Sequence, residues 1–329
     1  MRARRLLYLL LREAGIGVAL ALIAALFSVF APHFATFANL TNIFTQISIN
    51  TVISVGMTFV ILLGGIDLSV GSVLALATVV AGTVITGESY PPGVAILLAV
   101  LASAGVGMAC GFFNGFVSER WKIHSFVVTL GMLNIARGAA LQFSKSRTIF
   151  SFPEAFNDFG SRTILGVPVI FLIAVATVAA GRFILNRTVF GRMIYAIGNN
   201  EEAVRLSGHA PATYKVAAFT ACGAMVGLAA VMYMMRLNIS SPILGVGFEL
   251  NAIAAVVIGG TSMSGGKGSM VGTFLGACIM GVLNNGLLLL GMGDFARLMV
   301  TGLIIVVAVI IDKYRAKALL GSTFEQGGP

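Results

Sequence analysis

The sequence predicts an all-α polytopic membrane protein of about ten transmembrane helices, with both termini cytoplasmic and with short or broken helices at two Gly-Gly motifs. Three observations lead there. Hydrophobic residues make up 58% of the 329 and charged residues only 10%, where soluble domains carry about 25% charged. Apolar runs of about 20 residues, the length that crosses a hydrocarbon core, recur along the chain. The 40 glycines suit helices packed in lipid, where Gly is more frequent than in soluble helices.

In chain order the runs are 14–31, 43–64, 68–86, 93–117, 124–143, 167–185, 214–235, 248–263, 270–290 and 296–312. "MRARR" precedes the first, but no small-residue cleavage site in a polar flank follows, so this run is read as an anchor. An even number of spans puts both ends on one side. With the N-terminus inside, fifteen of the 21 Lys and Arg fall on inner segments. Lys145, Arg147, Arg162, Arg236 and Arg297 fall outside, and Arg137 lies within a span. Basic residues gather on the cytoplasmic side, which fixes the orientation and explains the net charge of +9 without a nucleic-acid partner. Residues 1–312 then form one transmembrane domain with a cytoplasmic segment at 186–213. Residues 313–329 form a cytoplasmic tail expected to be disordered, and 144–166 is the longest outer loop. Cys110, Cys222 and Cys278 sit in apolar runs without metal or redox spacing and read as small packed side chains.

"GGIDLSVGS" (64–72) interrupts an apolar stretch with Gly64, Gly65, Asp67 and Gly71. "AVVIGGTSMSGGKGSMVGTFLGA" (255–277) resembles it when Gly259 and Gly260 are aligned with Gly64 and Gly65, which suggests an internal repeat. Glycine pairs break helices and let backbones approach closely, so these four serve either tight helix packing or a broken helix near a substrate path. Asp67 can cap the following helix by accepting from the backbone N–H of Ser69 or Val70, or can belong to the path. Glu249 and Arg137 could pair by depth. "TSMSGGKGS" departs from a phosphate loop, because Thr261 and Gly268 occupy its first Gly and its Ser/Thr positions and no soluble strand precedes it. If ATP powers this protein, another chain must bind it.

Within the inner segment, "NNEEAVRLSG" has full helix punctuation. Asn199 or Asn200 can cap it, Glu201 and Glu202 suit the first turn, Arg205 comes late, Gly208 can close it left-handed and Pro211 prevents continuation. This short helix is either an ordinary solvated loop helix or a docking element for a cytoplasmic partner, with Tyr195 and Ile197 as apolar contact area. In the second span Gln46, Asn50 and Ser54 form an i, i+4, i+8 polar stripe. Together with Asn251, and more weakly Asn284 and Asn285, they could line a path for a polyhydroxyl solute or bond across helices as packing glue.

"VGMTFVILLGGIDLSVGSVLAL" (55–76), "GRMIYAIGNNEEAVRLSG" (191–208) and "FELNAIAAVVIGGTSMSGGKGSMVGTFLGA" (248–277) together resemble the permease subunit of ATP-binding-cassette monosaccharide importers. The likeness covers roughly 35–312. It leans toward the ribose permeases through "IYAIGNNEEAVRLSG", "GGTSMSGGKG" and "GVLNNGLLLLGM" (281–292), with xylose, galactoside, another pentose or hexose, or a polyol as other substrates. The resemblance implies a transport subunit rather than an enzyme, in a bacterial inner membrane. Its partners would be a second permease copy, cytoplasmic ATP-binding subunits and a periplasmic sugar-binding protein. This chain would hold no cofactor, since ATP and Mg belong to the ATPase. Asn199 to Gly208 match the family's coupling helix, with Gly191 and Arg192 matching its pattern. An ion-coupled secondary sugar carrier is the rival class, disfavoured by the scarcity of paired intramembrane carboxylates.

Overall fold

A computed structural model describes residues 2–87 and 90–324, with side-chain surroundings between 13 and 310. Thirteen helices appear among them: α1 (Arg2–Phe30), α2 (Phe37–Leu62), α3 (Val70–Ile85), α4 (Pro92–Trp121), α5 (Ser125–Ser144), α6 (Glu154–Ser161), α7 (Val169–Arg187), α8 (Val189–Asn199), α9 (Glu201–Leu206), α10 (Pro211–Leu237), α11 (Phe248–Ile258), α12 (Met270–Leu289) and α13 (Asp294–Phe324). Two small antiparallel pairs accompany them. β1 (Ile149–Phe150) joins β4 (Ile239–Ser240), and β2 (Thr163–Ile164) joins β3 (Val167–Pro168).

Among the described residues, seven helices are long and apolar enough to cross a membrane. Two expected spans are shorter than expected. The run 68–86 becomes α3 with 16 residues and 248–263 becomes α11 with 11, about 24 and 16 Å of helix against a core of about 30 Å. Irregular backbone adjoins both at the Gly-Gly motifs, as the glycine pairs lead one to expect. At the other end, 313–324 had been expected to lack structure but continue α13, where Ala, Leu, Lys and Arg favour helix; 325–329 lie outside the described residues.

The two glycine breaks share one hydrogen-bond pattern. Gly64 (φ +76°) donates to Ile61 O and Gly65 to Val60 O. Gly260 (φ +81°) donates to Val257 O and Thr261 to Val256 O. Each glycine takes the left-handed position that closes a helix by bonding its orphan carbonyls. The equivalence is therefore Gly64 with Gly260, one residue from the alignment of the glycine pairs.

α2 lies at the centre, its second half enclosed by the cluster of Val52, Ile53, Met57, Val60 and Ile61, into which α3 also packs. Reciprocal amide bonds between Asn39 and Asn285 (2.9 and 3.0 Å) and a Thr58–Thr273 hydroxyl contact (2.8 Å) tie α2 to α12. α4 and α10 meet backbone to backbone through Gly107 and Gly111 against Gly223, where a Cβ would strike a facing carbonyl.

The chain between β4 and α11 does not stay at the surface. Gly82 of α3 abuts Ser240 and Gly71 abuts Gly245, so residues 240–245 run beside α3 for about 16 Å. Backbone without helix at such depth needs other donors. Arg137 on α5 supplies them, donating to Pro242 O (2.5 Å) and Leu244 O (2.8 Å). The guanidinium also lies close enough to Glu249, the partner expected by depth, for their charges to interact, while Glu249 Oε1 accepts from the Gly247 N–H (3.2 Å).

Candidate translocation chamber and coupling face

A cavity of about 130 Å³ lies between α2, α10, α11 and α12, and its polar lining is Gln46, Asn50, Tyr233, Arg236, Asn251 and Asn284. Three of the five path residues picked from the sequence, Gln46, Asn50 and Asn251, therefore converge from two helices. Gln46 and Asn50 stand one turn apart on α2, and the buried Asn50 Oδ1 has no partner among the described residues. A buried acceptor left without a donor is costly.

Ser54, next on the stripe, is fully buried and donates to Asn50 O within its own helix (2.7 Å). Asp67 is also absent from the lining. Only 3% exposed, it accepts from the Ser69 N–H (2.9 Å) and the Ser69 hydroxyl (2.6 Å), with the Asn114 amide 3.4 Å from its second oxygen. The expected bond from the Ser69 N–H is present, but Ser69 rather than Asp67 is the N-cap of α3 and no side chain caps that helix, so Asp67 orders the turn between α2 and α3 instead. Asn285 is held by Asn39. Tyr233 and Arg236 were missed. They sit in an otherwise apolar run, Arg236 counted only as an orientation marker, and the available signal was their i, i+3 spacing on one helix face.

The second site is built from α8 and α9. Thr188 Oγ1 caps α8 by accepting from Gly191 N–H (3.2 Å), and Gly191 packs on the Leu185 carbonyl, where a Cβ would collide. Arg192 is exposed. Asn200, rather than Asn199, caps α9, accepting from Ala203 N–H at 2.9 Å. Asn199 instead donates to Tyr195 O (2.7 Å) and reaches across to Gly266 O (3.3 Å). Gly208 closes α9 at φ +82°. Glu202 pairs with Arg205 (2.7 Å) and Glu201 with Lys215 (2.7 Å). Tyr195 and Ile197 do not offer themselves to a partner. Tyr195 donates its hydroxyl to Gly268 O (3.0 Å) and Ile197 is 3% exposed, because the apolar face of α8 packs inward. On α9 the large exposed apolar side chain is Leu206, at 79%, which was not singled out from the sequence.

Both glycine stretches converge here. The Gly266 N–H donates to Leu62 O (2.9 Å), and a Cβ at Gly198 would strike that same carbonyl. The α2 terminus, the 262–269 loop and the α8 terminus thus meet at one junction. Gly259 packs on the backbone of Gly272, holding α11 against α12.

The pattern of the branched-chain amino acid transport system permease component family matches residues 39–309. The ribose import permease protein of Escherichia coli K12 is 41% identical over 90% of this chain and 92% of its own length. The ribose import permease protein of Bacillus subtilis 168 is 38% identical over 93% and 94%. The D-allose transport system permease protein of Escherichia coli K12 is 37% identical over 91% and 90%. No solved structure matches. A family pattern spanning the membrane helices, with relatives aligned nearly end to end, places the chain in this family of transport-system permease components.

Proposed function

We propose that this chain is the membrane-spanning subunit of an ATP-driven importer that carries a monosaccharide, ribose, across the bacterial inner membrane. A periplasmic binding protein delivers the sugar, a second permease copy completes the path, and cytoplasmic subunits hydrolyse the ATP. Ten passages, counted from the apolar runs, with both termini inside, from the distribution of the basic residues, complete this reading. The ribose assignment is supported by the names of the relatives at 38–41% identity. The allose relative at 37% leaves another aldose as the second reading.

The observation that carries the docking role is α9. It is capped at both ends by its own residues, buries only Val204 and presents Leu206 outward. A short helix whose ends are closed by local bonds and which exposes a large apolar side chain suits a groove on a partner, because anchors in pockets dominate interface energy. Glu202 and Arg205 on the same helix, and Arg192 on α8, are exposed polar residues. The chamber supplies amides and a phenol, which bond sugar hydroxyls, and Arg236 adds donors. ATP binding would close the ATPases, move α9 and tilt the path between outward and inward states, each partner favouring one state.

The test is copurification. Leu206→Glu should lose the ATPase from the purified complex, with the permease still folded and sugar uptake abolished. Retention of the ATPase at the normal ratio would remove α9 from the docking role.

A further inference from the structure

Beneath the exposed face of α9 runs a chain of charges that neither the docking surface nor the chamber uses. Lys215 near the start of α10 is only 19% exposed and reaches Glu201 of α9 at 2.7 Å and Glu119 of α4 at 2.9 Å. Glu119, 10% exposed, also holds Lys122 at 3.0 Å. The Glu202–Arg205 pair differs, with both side chains more than half exposed and both on α9.

A cation so near the beginning of a helix is opposed by the helix dipole, so Lys215 is not placed there to stabilise α10. It joins three elements. α4 and α10 are in backbone contact along their lengths at Gly107, Gly111 and Gly223 and behave as one body. That body reaches the chamber, since Tyr233 and Arg236 lie on α10 about 27 and 32 Å of helix beyond Lys215. α8 is attached separately, through Tyr195 and Asn199, to the loop carrying Gly266 and Gly268. The coupling segment is therefore held by these bonds and by the buried apolar face of α8, while α9 itself meets the membrane body through its buried Val204 and the ionic contact of Glu201 with Lys215.

We infer that Lys215 is a positioning residue that clamps α9 to the α4–α10 unit, so that displacement of α9 is carried along α10 to the chamber wall. This rests on the reading of α9 as the docking helix. The Lys215–Glu119 pair is partly buried, so it resists salt, and removal of one partner leaves the other charge uncompensated. Glu201 is 44% exposed, so the α9 arm is more easily screened, and its register on α10 depends on Glu119 holding the Lys215 side chain in place.

The test uses the complete importer in proteoliposomes, measuring labelled ribose uptake and ATP hydrolysis in the same vesicles. Lys215→Met should leave the ATPase bound and lower uptake per ATP about tenfold, within the range of ordinary coupling between sites. Lys215→Arg, which keeps the charge, should restore most of it. If Lys215→Met fails to fold, Glu201→Gln cuts only the α9 arm and leaves the Lys215–Glu119 pair in place. It should uncouple similarly, and where both variants fold, the double variant should be no worse than either single one. Unchanged uptake per ATP in Glu201→Gln, or additive losses in the double variant, would overturn the clamp. Loss of the docking reading is seen separately, as a Leu206→Glu complex that keeps its ATPase.

Discussion

Asp67 shows how local geometry decides the meaning of a charge. A carboxylate in an apolar stretch invites a substrate role, but its oxygens take the Ser69 backbone and hydroxyl hydrogens and lie near the Asn114 amide. Asp67→Ala strands those donors in the interior, at a cost of about 1–3 kcal/mol. The expected outcome is a lower melting temperature in detergent, with uptake per folded molecule nearly unchanged. A normal melting temperature with lost uptake would return Asp67 to the path. Asn50 should behave oppositely. Its side chain lines the cavity and its Oδ1 has no partner among the described residues, so Asn50→Leu should cut uptake about tenfold, the worth of one hydrogen bond of about 1.4 kcal/mol, without loss of stability. Unaltered uptake would mean that solute does not pass the chamber.

At the scale of elements, the helix breaks are specified by glycines that no other residue replaces cheaply. Gly64 needs its left-handed φ, so Gly64→Ala should cost about 1–2 kcal/mol. Gly198 lies in an ordinary helical conformation, but a Cβ there meets the Leu62 carbonyl and the Gly266 backbone, and crowding backbone into backbone costs a further 1–3 kcal/mol or so. Gly198→Ala should therefore be the worse variant, shown by lower melting temperature or loss of the folded fraction on gel filtration. The reverse order would mean that the junction yields easily. Most of α9 was legible because capping is local: the cap, the acidic first turn and the closing glycine all lie within ten residues. The inward face of α8 was not. Tyr195 and Ile197 look equally fit for a partner or for the core, and only the position of α2 and the 262–269 loop decides between them.

For the whole molecule, division of labour is the central expectation. The purified chain alone in vesicles should let no ribose accumulate against a gradient, and addition of the ATPase and binding protein should confer ATP-dependent uptake. Accumulation by the chain alone would contradict the importer reading. The sequence by itself determined the membrane class, the places where helices break and the short punctuated helix, because hydropathy, glycine content and capping depend on residues close together in the chain. It also contained the motifs that carry the family likeness. Tertiary structure alone decided the rest. The chamber is assembled from residues of α2, α10, α11 and α12, and the junction from Leu62, Gly198 and Gly266. The course of 240–245 along α3 depends on Arg137, more than a hundred residues earlier. Each pairs residues far apart in sequence, and which polar group finds which partner is set by helix packing, on which a pattern of apolar runs is silent.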